Sequence, residues 1–209
     1  MADEITLPSA PDINSEIVTA VSDTGMSSIA SADPAAAVVA EIKAAGGQAA
    51  VGYEDISSWD GARRTIEQAY QTFGRLDIVV NNASAISLTD SQATEMKRFD
   101  LMHQINARGT FMVSKLAVPW LEKAANPHIL MLSPPLDMKE KWFAAHTAYS
   151  MAKFGMSLVV LGLAGELRRK GIAVNALWPR TTIATSAIKN LLGGDAIMRA
   201  SRTPDILAD

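Results

Sequence analysis

From Glu16 onward the chain alternates short, nearly continuous apolar runs with longer stretches whose apolar residues recur three or four positions apart. The short runs cover residues 16–22, 48–53, 76–80, 128–132 and 172–177. Runs that are apolar throughout predict strands buried on both faces, and their alternation with helical periodicity predicts βαβ units around a parallel sheet. Asp33 and Pro34 suit the N-cap and first position of a helix whose Val38, Val39 and Ile42 share a face and which Gly46 ends. Ser57 and Asp60 have capping-box spacing ahead of Ala62, Ile66, Ala69, Tyr70 and Phe73, with Gly74 as the stop. Residues 94–124 predict a short helix followed by a main one, and residues 148–169 a long helix. Beyond Pro179 the pattern weakens to loop and short helix. Residues 1–15 are polar and contain prolines, and predict a disordered or atypical N-terminus. The expected fold is α/β: a doubly wound parallel sheet in three layers, forming one domain over residues 16–209.

In such sheets ligands bind at the carboxyl ends of the strands. Asp55, Asn81-Asn82, Ser133 and Pro179-Arg180 all fall at predicted strand ends, which points to a single site. Composition narrows what that site can be. Hydrophobic residues make up 48%, charged residues 20%, and the net charge is −3, so no basic groove for nucleic acid is expected. The densest basic cluster, Arg168, Arg169 and Lys170, suits the C-terminus of a helix. The sequence has no cysteine, which excludes disulfides and thiolate chemistry and fits a reducing, cytoplasmic setting. His103, His128 and His146 lack ligand spacing, so no metal site is expected. The most apolar long stretch, residues 156–167, is too short to span a bilayer, and residues 1–15 lack the basic and apolar regions of a signal peptide. Asn82-Ala83-Ser84 matches a glycosylation sequon and, without a secretory signal, reads as chance.

The residues of greatest chemical interest are Tyr149 and Lys153, in YSMAK. At i and i+4 on a helix they share a face. A phenol near its ordinary pKa of about 10 is a poor acid or base at neutral pH, and a nearby cation favours its ionised form. A tyrosine tuned in this way can exchange the proton that accompanies hydride transfer at a carbonyl. Taken alone, such a pair is more often a surface Tyr/Lys pair on an amphipathic helix.

It occurs with LDIVVNNAS, INARGTF and HILMLS before it and IAVNALWP after it. Together these segments resemble the short-chain dehydrogenase/reductases over about residues 16–209, with a Rossmann-like fold. The stretches NNASAISL, SPPL and NALWP are similar to one branch, the hydroxysteroid dehydrogenase-like proteins, and residues 23–82 also resemble the dehydrogenase domains of multifunctional β-oxidation enzymes. The resemblance implies an oxidoreductase acting on a small carbonyl or alcohol substrate that is apolar, steroid-like or acyl, with NAD or NADP as cofactor and a homo-oligomeric (dimer or tetramer) assembly. It implies Tyr149 as acid/base and Lys153 as the residue that tunes Tyr149 and orients the ribose. Asn106 would anchor a water near the lysine, and Ser133 would bond the substrate carbonyl. Asn81, Asn82, Ala83, Pro179 and Thr182 would border the cofactor.

Several positions depart from the family pattern. NNAS stands where the family has NNAG. Pro134 stands where it has the second of two serines, and the interval from Ser133 to Tyr149 is longer than is common, so Ser133 also reads as a plain strand end. Arg180 stands where glycine is usual, and either faces an acidic group of the substrate or points to solvent.

The glycine-rich turn that cradles a pyrophosphate is absent. Gly25 is the only glycine before Gly46, and TAVSDTGM over residues 19–26 is at most an eroded version. A second register fits better. Only one helix separates residues 16–22 from 48–53, and Asp55 after the latter matches the family's acidic residue near the adenine. The first strand is then the family's second. Asp23 at its end would bind the ribose hydroxyls and favour NAD over NADP, or serve as a turn residue. In this register the family's central first strand, between its second and fourth, is missing. The strand from Glu16 or residues 1–15 could enter that gap. The chain therefore reads as a truncated domain, and the competing expectation is a catalytically impaired relative acting as an oligomer-forming or interaction module.

Overall fold

A computed structural model describes residues 17–21, 34–185 and 194–207. The expectations for residues 1–15, Asp23, Gly25 and Asp33 lie outside the described residues. The first unit is β1 (Ile17–Val21), α1 (Pro34–Ala44) and β2 (Gln48–Gly52), with β1 and β2 parallel and in register from Ile17↔Gln48 to Val21↔Gly52. Helix α2 (Trp59–Phe73) follows. Its cap is Ser58, one position later than the capping box placed it: Ser58 Oγ accepts the Gly61 N–H at 3.0 Å. The shift has a local cause. The Asp55 carboxylate already accepts the Ser57 N–H at 2.8 Å, closing a turn that leaves Ser58 at the helix entrance. The helix ends at Gly74, whose φ of 73° lets its N–H reach Tyr70 O.

The second unit contains β3 (Ile78–Asn81), β4 (His128–Leu132) and β5 (Ala173–Leu177), all parallel, in the order β3-β4-β5. Between β3 and β4 the predicted pair of helices forms one continuous path: α3 (Met96–Met102), a π-helical segment (His103–Gly109) and α4 (Thr110–Leu121). Helix α5 (Thr147–Glu166) leads through a 3-10 turn (Leu167–Lys170) to Gly171, at φ 73°. A short helix α6 (Gly194–Ala200) and a 3-10 turn (Pro204–Leu207) follow β5. With its 3-10 turn, α5 spans 24 residues and is long and apolar enough to cross a membrane, which is more than residues 156–167 suggested. It also contributes Leu163 and Leu167 to the main core and holds Ala148, Ala152 and Lys153 buried.

That core forms where Ala62 and Ile66 of α2, Met112, Val113, Ala117 and Leu121 of α4, and Leu163 of α5 meet Val79, Ile129, Met131 and Val174 of the strands. Burying each larger aliphatic side chain contributes about 1.5–3 kcal/mol. The α/β class with parallel strands is as expected. The sheet, however, is in two pieces: among the described residues no strand joins β1–β2 to β3–β4–β5. This is the division that follows from reading β1 as the family's second strand. The strand after Glu16 does not slide into the gap, because all its pairing is with β2. On β3, Val79 is buried while Ile78 and Val80 are 59% and 54% exposed, so the helical layer covers one face of this strand.

Candidate active site

The site is assembled where β3 and β4 end. Asn81 closes β3 with its side chain buried and its Nδ2 donating to Ser114 Oγ on α4 at 3.1 Å. The chain then turns, the Asn82 N–H returning to Val80 O at 3.1 Å, and Asn82 itself is exposed. Three residues on, Ala85 is clamped at both backbone groups by Asn106. The asparagine Oδ1 accepts the Ala85 N–H at 2.7 Å and its Nδ2 donates to Ala85 O at 2.9 Å. Asn106 is fully buried in the π-helical segment, where the wider turn alters the backbone bonding of an otherwise α-helical path. Its side chain is thus spent on the loop of residues 82–85. Ala83, Ala85, Ile105, Ala148, Ala152 and Tyr149 pack into one apolar cluster around this clamp.

Tyr149 and Lys153 lie on successive turns of α5. Lys153 is 5% exposed, and its Nζ donates to Leu132 O, at the end of β4, at 2.6 Å. The ammonium is also 3.4 Å from Met156 Sδ and 5.8 Å from the centroid of the Trp178 ring. Burial lowers its pKa to about 8. Tyr149 is half-buried, and burial raises its phenol above the ordinary value, while a hydrogen bond with the Ser84 side chain pulls the other way. This corrects the expected tuning. Lys153 is drawn to the carbonyl of Leu132, and Ser84 is the polar neighbour that favours the phenolate. Ser133 follows β4 directly and is fully buried, with no partner for its hydroxyl among the described residues. An unpaired buried hydroxyl costs about 1–3 kcal/mol, and an incoming oxygen ligand would recover that cost. His146 Nδ1, one turn before Tyr149, is a second buried polar atom without a partner among the described residues.

A model of the short chain dehydrogenase family matches residues 12–192. The chain belongs to that family. It is 52% identical over 170 residues to hydroxysteroid dehydrogenase-like protein 2 of Danio rerio, which covers 81% of this chain and 40% of that protein. The chain therefore spans about two-fifths of the length of that relative. A short chain dehydrogenase from Mycobacterium thermoresistibile superposes with a TM-score of 0.83 at 45% identity, over 92% of this chain and 69% of that one. A 7α-hydroxysteroid dehydrogenase, solved with NADH and 7-oxo glycochenodeoxycholic acid, superposes with a TM-score of 0.73 at 27% identity, over 83% of this chain and 69% of that one.

For a short chain dehydrogenase, the remaining expected residues divide into two groups. Asn81, Ala83, Asn106, Tyr149, Lys153 and Ser133 come together around the ends of β3 and β4. Asp55 lies exposed after β2, its carboxylate occupied by the Ser57 N–H. Pro179 is half-buried and Arg180 exposed after β5. Thr182 is exposed and tied elsewhere: its Oγ1 accepts from Ser201 Oγ at 2.9 Å and its carbonyl from the Arg202 N–H at 2.9 Å. A cationic Lys153 beside a polar loop and an orphaned hydroxyl fits the nicotinamide and ribose half of a dinucleotide. The segment after β1, which carries Asp23, lies outside the described residues. Among the described residues no cluster of metal-ligating side chains occurs. Ser84 and Ser114 escaped the sequence reading. Ser84 was visible only as the departure from NNAG, and Ser114 had no signal beyond its place on a helix face.

Proposed function

We propose that the protein is an oxidoreductase that moves hydride between NAD(P)(H) and a hydroxyl or carbonyl of an apolar substrate, steroid-like or acyl. The observation that supports this reading is that Lys153, one turn beyond Tyr149 on α5, donates to the carbonyl of Leu132, the residue before Ser133, whose buried hydroxyl has no partner among the described residues. Bound NAD(P)(H) supplies or accepts the hydride. The protein's own groups hold the substrate oxygen and manage its proton. Ser133 Oγ donates to the carbonyl oxygen, where negative charge develops during reduction. Tyr149 gives that oxygen its phenolic proton, and takes one back in oxidation. The raised pKa keeps this proton on Tyr149 at neutral pH and makes the free phenol a weaker acid, so donation depends on stabilising the phenolate once substrate and cofactor are bound. Lys153, cationic below pH about 8, would donate to the ribose hydroxyls.

Asn106 acts through the loop it clamps. Asn81, Asn82, Ala83, Pro179 and Thr182 would border the nicotinamide half and Asp55 the adenine half, to which Asp23 is also assigned by its sequence position. An acidic Asp23 favours NAD(H) over NADP(H). The same reading makes residues 16–209 one domain of a cytoplasmic homo-oligomer. The relatedness to a 7α-hydroxysteroid dehydrogenase supports an apolar alcohol or ketone as substrate.

The test combines binding with turnover. NADH and NADPH are titrated into the protein by nucleotide fluorescence, and nucleotide oxidation is then followed with steroid and acyl ketones. Saturable binding, with NADH tighter, and turnover that Tyr149→Phe abolishes are expected. Absence of binding to either nucleotide would overturn the assignment.

A further inference from the structure

We propose that Trp178 is a positioning residue for Lys153: the face of its indole holds the ammonium at the carboxyl ends of β4 and β5. The inference rests on the reading of Lys153 given above and names a partner that fixes it. Three observations converge on the pair. Leu132 of β4 and Leu177 of β5 are register partners, so the two strands end level. Trp178 stands one residue beyond the partner of Leu132, whose carbonyl Lys153 binds. Lys153 Nζ lies 5.8 Å from the centroid of the Trp178 ring, inside the distance of about 6 Å at which an aromatic face attracts a cation. Finally, the ammonium has few other partners. It donates to Leu132 O at 2.6 Å and lies 3.4 Å from the weakly accepting Met156 Sδ. Among the described residues no carboxylate pairs with it.

A buried ammonium needs compensation for the water it has lost. Lys153 is 5% exposed, and its one strong acceptor engages one of three N–H groups. The indole compensates differently. Its negative face attracts the cation without using up a directed N–H, and that attraction grows as the cation is desolvated. Lys153 is thus held from two sides, by a carbonyl at the end of β4 and by a ring after β5, and keeps a donor for the ribose hydroxyls. Trp178 is itself 45% exposed, so it stands at the margin of the site and not in the core. Merely covering the lysine stem would require only an apolar side chain; holding the ammonium requires the aromatic face. Tyr149, one turn earlier on α5, is the titratable neighbour of Lys153 on its own helix. From the ends of β4 and β5 the ammonium is faced by a carbonyl and an indole, neither of which titrates. Trp178 therefore acts through Lys153 and exchanges no proton.

The experiment reads the Lys153 ammonium directly and requires neither nucleotide nor substrate. Lysine labelled at the ε-carbon gives one resonance per residue, and Lys153→Arg assigns that of Lys153. The resonances are followed from about pH 6 to about pH 11 in the wild type, Trp178→Phe and Trp178→Leu. Trp178→Leu keeps an apolar cover and loses the aromatic face, whereas Trp178→Phe keeps both. In Trp178→Leu the Lys153 resonance is expected to titrate lower than in the wild type by about half a pH unit or more, because the charged form has lost a partner. Trp178→Phe should titrate above Trp178→Leu and close to the wild type. The other lysines should stay unmoved, which shows that both variants are folded. Lys153 titrating in Trp178→Leu at or above its wild-type pH would overturn the proposal. So would Trp178→Phe and Trp178→Leu titrating together while the other lysines remain native. Because the readout is the ammonium itself, failure here is distinguishable from a failure of the enzymatic reading, which turnover measures.

Discussion

Lys153 brings a cation into a position where only 5% of its surface remains exposed, and the fold bears a cost for this. Its ammonium falls from an ordinary 10.5 to about 8 because burial penalises the charge. Between those two values the unfolded chain binds more protons than the folded one, so stability from this group rises with pH across that window. Lys153→Met should flatten the rise, whose slope is at most about 1.4 kcal/mol per pH unit. Tyr149 has the opposite sign. Its phenol is raised, so the folded state keeps a proton that the unfolded state loses above pH about 10, and stability falls there. Urea unfolding across this range, on the wild type and Lys153→Met, checks both signs. Asn106→Ala should cost about 2–4 kcal/mol in the same assay, because both backbone groups of Ala85 lose their partner at a buried site. The Tyr149/Lys153 pair was legible because i,i+4 spacing fixes a shared helix face. The partner of each was not: Leu132 and Ser84 meet α5 only through the packing of loops and strand ends distant in sequence.

Helix α2 depends on a single small residue at its start. A Cβ on Gly61 would run into the carbonyl of Asp55 and would also lie 2.8 Å from Ser58 Oγ, the very cap of the helix. The Asp55 carbonyl is backbone and cannot swing aside, so Gly61→Ala should lower stability by about 2 kcal/mol or more and lower the helical signal in circular dichroism. The existence of α2 was legible from Ala62, Ile66, Ala69 and Phe73, all of which are buried. The exact cap was not, since Asp55, Ser57 and Ser58 compete for the same few N–H groups and only geometry decides between them. The π-helical segment around Asn106 was equally hidden. Its apolar residues keep a spacing that serves α-helix and π-helix alike, and the widened turn reveals itself only in the backbone bonding.

At the scale of the whole molecule the parallel α/β order was legible, because continuous apolar runs and helical periodicity alternate along most of the chain. The division of the sheet was legible only once β1 was read as the family's second strand. Pairings of β1 with β2, and of β3 with β4 and β5, form two separate hydrogen-bonded ladders among the described residues. Ladders that share no strand need not open together. Amide hydrogen exchange should therefore be faster, by at least about tenfold, in β1 and β2 than in β4, whose Ile129 and Met131 are fully buried and which is paired on both sides. Uniform protection across both ladders would mean that they unfold as one unit. The groups proposed to be catalytic belong to the second ladder and its helices, so the chemistry proposed for Tyr149 depends chiefly on the better-connected part. The most direct check of that assignment is nucleotide-linked turnover of apolar ketones by the wild type and Tyr149→Phe, at equal nucleotide occupancy. The wild type should oxidise NADH with saturable dependence on the ketone, and Tyr149→Phe should bind NADH yet turn over at least about a hundredfold more slowly. Equal turnover by the two proteins would contradict the account.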